Sequence, residues 1–381
     1  MSFVRDVRAV EWLYLAVGLV AVSWNFFFFD DAFVYFRYVD NLVWRGIGLV
    51  YNEGEYVEGF TSPLWTLWLA GLRVLGLDWV SVIRAVSLAS FVVFWGLGVR
   101  SLRSLAPAGV VVNVPLAWLC GLYGVTTWFS SGSESPFALL LAPAYALFVS
   151  NPSSLLLQLA MAASPLVRPE LTASLGVALL WAWLRGRRFP WRFSLLSLLL
   201  VGGWTLFRVI YYADWVPNTF RLKNVWDPAQ GVTYLLDATA PYFLIPLLGV
   251  SVLAGIWLWR RGEPIQLDRR AAMWCMALPP ALYTLAIGGT STHFRYLAFS
   301  LCLLVFSTGG LLERVLARMD AARRGGWLGF TLVAVSLTLQ PPQLDVPHFN
   351  IRNIADAAYH RWRIDPAGSF ERVLPRVLRR A

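Results

Sequence analysis

The sequence predicts an all-α polytopic membrane protein, a bundle of about eleven transmembrane helices with interfacial helices in its first long loop. Three observations carry this. Of 381 residues, 58% are hydrophobic and only 14% charged, with a mean hydropathy of +0.58, too little polar surface for a water-soluble fold of this size. Apolar runs near the ~20 residues that cross a bilayer recur along the chain, joined by short polar stretches with no evident internal repeat. The arginines gather in certain joints and avoid others. A net charge of +10 would suit nucleic acid, but Lys and Arg sit beside apolar runs as the positive-inside rule requires. The charge therefore reports topology, and no nucleic-acid partner is expected.

The first apolar run, residues 10–29, lacks a small-residue cleavage site after it and is read as a retained helix. Basic joints follow at 5–8, 100–103, 185–192, 260–270 and 314–324. If all five face the cytoplasm, an even number of crossings must separate consecutive joints. Three runs lie between the first two joints, at 10–29, 63–77 and 81–99, so one does not cross. The shortest, 63–77, begins Ser-Pro and contains Arg73; it is assigned to the outer interface, anchored by Trp65 and Trp68. Arg84 then snorkels to the outer interface at the start of the next span. The runs 107–129, 136–148, 154–167, 171–184, 193–211, 241–259, 271–287, 296–312 and 327–339 alternate, putting the N-terminus inside and the C-terminus outside. Residues 1–340 form the membrane domain, 30–80 its first extracytoplasmic loop, and 341–381 a short outer tail packed across the mouth of the cavity. Cys120, Cys275 and Cys302 lie in apolar segments with neither disulfide nor metal spacing.

Every joint without a basic cluster now lies on the outer side, and the unusual residues lie there too. Asp30 and Asp31 close the first apolar run. One carboxylate would end a helix at the headgroups; two neighbours raise each other's proton affinity, which suits a base or a pair facing a cation. Glu53, Glu55 and Glu58, spaced by Gly54 and Gly59, read as a solvated turn or a carboxylate wall of a sugar site. In Ser131-Gly132-Ser133-Glu134-Ser135-Pro136, Ser133 or Ser135 caps a helix that starts at Pro136, and capping leaves Glu134 unexplained. Arg168-Pro169-Glu170 sits in a tight helical joint. The stretch YYADWVPNTFRLKN (211–224) sets Asn218 beside Arg221 and Lys223 on the side where basic residues are disfavoured, which calls for an anion such as phosphate. His293 and Arg295, after Gly288-Gly289-Thr290, form a second cationic cluster. With 3 His in the chain and no His-x-x-x-His spacing, a zinc site is rejected.

These blocks occur in an order that resembles the polytopic GT-C glycosyltransferases, and most closely the terminal arabinofuranosyltransferases that finish cell-wall arabinan. The resemblance spans residues 10–310, and DDAFVYFRYVDNL followed by VEGFTSPLW is its most specific part. It implies a GT-C type bundle in the cytoplasmic membrane, with an extracytoplasmic site that uses a polyprenyl-phosphate sugar and an aspartate of the first loop as the catalytic residue. Acceptors of that chemistry are glycans, lipids or proteins. The chain departs from the pattern at Thr290, where an acid is expected, and in residues 341–381, where the arabinan enzymes continue into a large soluble domain. On this reading Asp30 is the base, Asp31 orients the acceptor or a divalent ion, and Glu134 assists. Arg168, Arg221, Lys223, His293 and Arg295 are the phosphate ligands, and Tyr35, Tyr211, Tyr212 and Trp215 wall the sugar, with Glu58, Glu170 and Asn218 nearby. No cofactor is required, and a divalent cation stays open. A transporter or flippase of a lipid-linked sugar is the competing reading. It would place ionisable residues at mid-membrane, where Arg208 is the main instance. A purely structural scaffold leaves the one-sided acids unexplained.

Overall fold

A computed structural model describes residues 8–105, 113–223, 226–290, 292–316 and 318, with the side chains of 222 and 223 outside the description. All regular structure among them is helical. The apolar runs at 327–339 and the tail at 341–381 lie outside the described residues.

Helix α1 (Ala9–Trp24) is antiparallel to α4 (Trp79–Leu105). Glu11, at the start of α1, bonds Arg103 near the end of α4 at 2.6 Å, while Val22 and Phe26 meet Arg84 and Leu88 around one cavity. The chain between them therefore leaves and returns at the same end. That excursion contains α2 (Asp30–Val43) and α3 (Pro63–Arg73). With 11 residues at ~1.5 Å per residue, α3 rises well short of the ~30 Å hydrocarbon thickness. Ser62 caps it through the Trp65 N–H, and Pro63 occupies the first turn, where the missing N–H costs nothing. Helices α2 and α3 share a small core of their own: Phe36 stacks on Trp79 at 4.2 Å, and Arg73 lies over Trp44 and Trp79 while bonding Asp40 at 2.8 Å. Trp65, expected as a lipid anchor, is fully buried against Phe137; Trp68 is half exposed.

The run 107–129 breaks at Leu122 into α5 (Val114–Gly121) and α6 (Tyr123–Phe129). Then come α7 (Ser135–Ser150), α8 (Leu155–Val167) and α9 (Thr172–Gly186). Helix α10 (Trp191–Tyr212) carries a π turn at Leu198–Gly202. The short α11 (Asn218–Lys223) and α12 (Pro228–Thr239) precede α13 (Leu244–Arg260), α14 (Leu267–Ala286), α15 (Ala298–Ser307) and α16 (Leu311–Leu316). Three described helical stretches are long and apolar enough to cross a membrane, Trp79–Leu105, Trp191–Tyr212 and Arg295–Leu316, and a fourth if the pair bent by 75° at Phe243 is one span. Among the described residues the expected runs thus recur as helices, but only three or four are long and apolar enough to be spans, because several are short or broken. Apolar side chains line the outside of the bundle as well as its core. The Arg295–Leu316 stretch is 94% buried, whereas α10 is 11% buried and turns Leu195, Leu198, Leu199, Leu206 and Ile210 outward. An outward apolar face of that length is suited to a hydrocarbon surround.

Helices α12 and α14 touch at Gly231, where a Cβ would lie 1.9 Å from the Leu285 carbonyl oxygen. Backbone cannot step aside as a side chain can, so the contact should outweigh the ~1 kcal/mol that alanine gains in a helix. Gly231→Ala is expected to destabilise the protein by about 1–3 kcal/mol, read as a lowered unfolding midpoint in detergent. An unchanged midpoint would mean the two helices are not in backbone contact.

Candidate active site

The site is built on a seam between the end of α1 and the α6–α7 joint. Residues 25–29 do not continue α1. The Asn25 side chain bonds Thr126 at 3.1 Å, the Ser130 hydroxyl bonds the Asn25 carbonyl at 2.9 Å, and the Phe29 N–H donates to the Ser131 carbonyl at 2.9 Å. Gly132 makes the approach possible. Its φ is +74°, and a Cβ there would stand 3.0 Å from Ala32 and Phe28, a conformation and a spacing that favour glycine. This pairing resets the chain, so Asp30 and Asp31 open α2 instead of closing the first helix. At a helix N-terminus both acids gain from the backbone dipole. The serines of 131–135 do not cap α7, which lacks a side-chain cap. They are buried and bond one another, Ser131 to Ser133 and Ser133 to Ser135, each at 2.8 Å.

Around this seam five charged side chains, four of them buried or nearly so, form one chain. Arg295 donates through Nη1 to Asp31 Oδ2 at 2.6 Å and through Nη2 to both oxygens of Glu134 at 3.0 Å. Arg168 donates through Nη1 to Glu134 Oε1 at 3.0 Å and through Nε to Glu170 Oε1 at 2.5 Å. The Tyr35 hydroxyl completes the cluster with a 3.0 Å bond to Glu134 Oε2. Aromatic faces enclose the guanidiniums: Phe29 and Trp128 lie 4.9 and 5.4 Å from that of Arg295, and Tyr296 lies 4.2 Å from that of Arg168. Burial pushes the Glu134 carboxyl up, but Arg295 and then Arg168 outweigh it and hold the group below the ordinary glutamate range. Burial likewise works against the Arg168 charge, yet Glu170 and Glu134 hold its proton more firmly than usual.

Asp30 differs from its neighbour. Its carboxylate is exposed, and its Oδ1 accepts the Asp31 N–H at 2.8 Å. It stands at the rim while Asp31 is tied to Arg295.

The remaining residues singled out in the sequence divide into separate groups. Glu58 is buried in an ion pair with Arg208 and accepts the Trp204 indole N–H at 3.0 Å. Burial pushes its carboxyl up by more than Arg208 and Trp204 draw it back. The Asn218 N–H donates to the Glu58 carbonyl at 3.1 Å, and Tyr211 and Tyr212 bond the backbone of Leu49. Glu58, Arg208, Tyr212 and Asn218 thus latch α10 and α11 to the first loop, so Glu58 is neither a solvated turn residue nor part of an open wall. Arg221 pairs with Asp214 at 2.6 Å on the surface, Trp215 is exposed, and the Lys223 side chain lies outside the described residues.

His293 does not join Arg295 as a second surface cation. It is buried, its Nδ1 2.6 Å from Asp237 and its Nε2 2.6 Å from the Tyr242 hydroxyl. Phe294 between them has a φ of 66°, a turn that sends the two side chains into different networks. Trp128 links those networks, donating its indole N–H to the His293 carbonyl at 2.7 Å while lying against Arg295. The sequence marks neither Asp237 nor Tyr242, and it marks Arg208 only as an arginine in an apolar run, a signal of a buried partner. Among the described residues, no three His, Cys, Asp or Glu side chains converge as metal ligands do.

Comparison with known proteins agrees with the resemblance read from the sequence. The chain is 28% identical over 323 residues to the terminal beta-(1->2)-arabinofuranosyltransferase of Corynebacterium glutamicum, covering 71% of this chain and 46% of that protein. It is 30% identical over 291 residues to the protein of the same name from Mycobacterium tuberculosis, covering 66% of this chain and 44% of that one. The chain thus spans less than half the length of the curated relatives it matches. No protein-family profile and no solved structure matches it. Over about two thirds of its length, the chain is arabinofuranosyltransferase-like.

Proposed function

We propose that this chain is an integral membrane glycosyltransferase that moves a sugar, arabinofuranose by its relatives' names, from a polyprenyl-phosphate donor to a hydroxyl of a glycan, lipid or protein acceptor. Its site faces the extracytoplasmic side of the cytoplasmic membrane, with the N-terminus inside. The observation that carries this reading is the division of labour between two adjacent acids: Asp30 exposed at the rim, Asp31 fixed by Arg295 in a buried chain with Glu134, Arg168 and Glu170. A phosphate ester already has a good leaving group, so the protein must take a proton and orient the reactants. The acceptor oxygen attacks the anomeric carbon, and the bond from that carbon to the phosphate oxygen breaks with its electron pair leaving on the polyprenyl phosphate. Asp30 takes the hydroxyl proton. Asp31, held at a fixed angle, receives a hydrogen bond from a second acceptor hydroxyl.

The arginines take a different role from the one the sequence suggested. Arg168 and Arg295 each pair with two carboxylates through these bonds, while the buried Arg295 Nε has no partner; in this reading they orient the acids instead of binding phosphate. The transporter reading gains no observation. Arg208, its main support in the sequence, is consumed by Glu58.

Lipid that co-purifies with Asp30→Asn protein tests the donor. Mass spectrometry is expected to find a polyprenyl phosphate carrying one pentose, enriched over wild type because the bound donor no longer turns over. Recovery of bulk phospholipid alone from both proteins would remove the donor class from the account.

A further inference from the structure

Away from the acid cluster, a cavity of about 240 Å³ opens between the end of α1 and the second turn of α4, lined by Val22, Ser23, Phe26, Arg84, Ser87 and Leu88. Two of its polar groups have no hydrogen-bond partner among the described residues. Arg84 is exposed, with its guanidinium 4.8 Å from the centre of the Phe26 ring, and makes no hydrogen bond or ion pair with any described residue. A ring face orients a guanidinium without neutralising it. Ser87 lies three residues on, on the same face of α4. It is 2% exposed, and its hydroxyl has no hydrogen-bond partner. A buried hydroxyl in a native fold ordinarily has a partner. The remaining polar lining residue, Ser23, spends its hydroxyl on the Leu19 carbonyl at 2.8 Å. An unneutralised cation and an unpartnered hydroxyl beside Val22, Phe26 and Leu88 describe a receptor for an anionic headgroup on a hydrocarbon chain.

The charge balance of the active site says which headgroup. Asp30, Asp31, Glu134 and Glu170 outnumber Arg168 and Arg295, and each arginine is already paired with two of those acids. A phosphate placed directly on that cluster would meet net negative charge. The phosphate that leaves in the proposed reaction therefore needs a cation elsewhere. Arg84 lies beside Phe26, in the short stretch that leads from α1 into Asp30. The cavity holds about eight times the ~30 Å³ that a water molecule takes in the liquid, room for a phosphate and a short length of chain. The same two helices continue as apolar surface, with Val20 on α1 and Val92 and Val93 on α4 exposed, where a long isoprenoid would run on.

We propose that this groove holds the phosphate and first isoprene units of the prenyl-phosphate carrier. The Arg84 guanidinium and the Ser87 hydroxyl donate to phosphate oxygens, and Val22, Phe26 and Leu88 pack on the chain. The inference rests on the donor class proposed above and adds the place where that donor is gripped.

Binding of labelled farnesyl phosphate to the full chain in phosphatidylcholine nanodiscs tests it, with phosphatidylglycerol and inorganic phosphate as competitors. Wild type and Asp30→Asn are expected to bind the probe alike. Arg84→Gln should bind it at least about tenfold more weakly, the loss of one charge-assisted contact, and Ser87→Val several-fold more weakly. Equal binding by wild type and Arg84→Gln, absence of binding by wild type, or displacement of the probe by phosphatidylglycerol or inorganic phosphate as readily as by unlabelled farnesyl phosphate would each overturn the proposal. Transfer kinetics separate the two levels of the account. If wild type transfers sugar from a prenyl-phosphate sugar and Arg84→Gln does so with unchanged KM, the groove assignment fails while the function stands. If wild type transfers nothing from such donors, the donor class fails and the groove's occupant with it.

Discussion

Asp30→Asn is expected to lower turnover by about 10²–10⁴-fold, the usual contribution of a positioned general base, while leaving the protein folded and the donor bound. The substitution is structurally gentle. Asparagine retains the oxygen that accepts the Asp31 N–H at 2.8 Å, so the first turn of α2 keeps that bond. What disappears is one negative charge at a helix N-terminus, worth about 0.3–1 kcal/mol at an exposed position. Asp31→Asn should behave differently, because its carboxylate is the partner of Arg295 at 2.6 Å. Its loss should raise the KM for acceptor as well as lower kcat, since the group that fixes the acceptor is no longer fixed itself. Initial rates against donor and acceptor, with thermal unfolding as the control for folding, separate the two. Equal effects of the two substitutions on both constants would mean the neighbours share one role.

Glu134→Gln should be the most destabilising substitution in the site. Glu134 accepts from Arg295 twice, from Arg168 and from Tyr35, all at 3.0 Å, and a neutral amide offers one acceptor oxygen and two donors to groups that are themselves donors. Removing one partner of a buried charge pair costs about 3–5 kcal/mol. Arg168 keeps Glu170 and Arg295 keeps Asp31, which places the expected loss near the lower end. Protonation should mimic the substitution. The Glu134 carboxyl is held below its ordinary value, so its stabilisation is complete above the unfolded value of about 4.3 and is lost as pH falls through the lower folded one. Wild-type unfolding midpoints should therefore show no loss from this group between pH 8 and pH 5, and Glu134→Gln should remove part of the acid-side decline. A substituted protein as stable as wild type would show that the cluster is solvated and the guanidiniums independent.

Helix positions were legible because hydropathy reports burial in lipid or core, and the apolar runs within the described residues recur as helices. Where helices break was not legible. Residues 26–29 are as apolar as the run before them, and α1 ends because Asn25, Phe27 and Phe29 pair with residues 126–131, a contact about a hundred positions away in the chain. The same distance hid the site's wiring. Asp31, Glu134, Arg168 and Arg295 stood out singly as charges in apolar joints, but their partners lie 34, 161 and 264 residues apart, and no local spacing encodes such pairs. Local signatures misled in three places. Ser133 and Ser135 before Pro136 carry the pattern of a helix cap, yet burial turns them towards one another. His293 stands two residues from Arg295, but the positive-φ turn at Phe294 sends it to Asp237. Trp65 reads as an interfacial anchor by type and position; α3 turns it inward against Phe137.

In the proposed reaction the carboxylates at the start of α2 serve sugar transfer from a lipid phosphate. That role is tested most directly by giving the purified chain in nanodiscs a prenyl-phosphate arabinofuranose with an isotope-labelled sugar and a synthetic arabinan acceptor, then following the label by mass spectrometry. Wild type is expected to move the label onto the acceptor and release prenyl phosphate in equal amount, while Asp30→Asn does neither although it binds the donor. Transfer by Asp30→Asn at the wild-type rate would contradict that role.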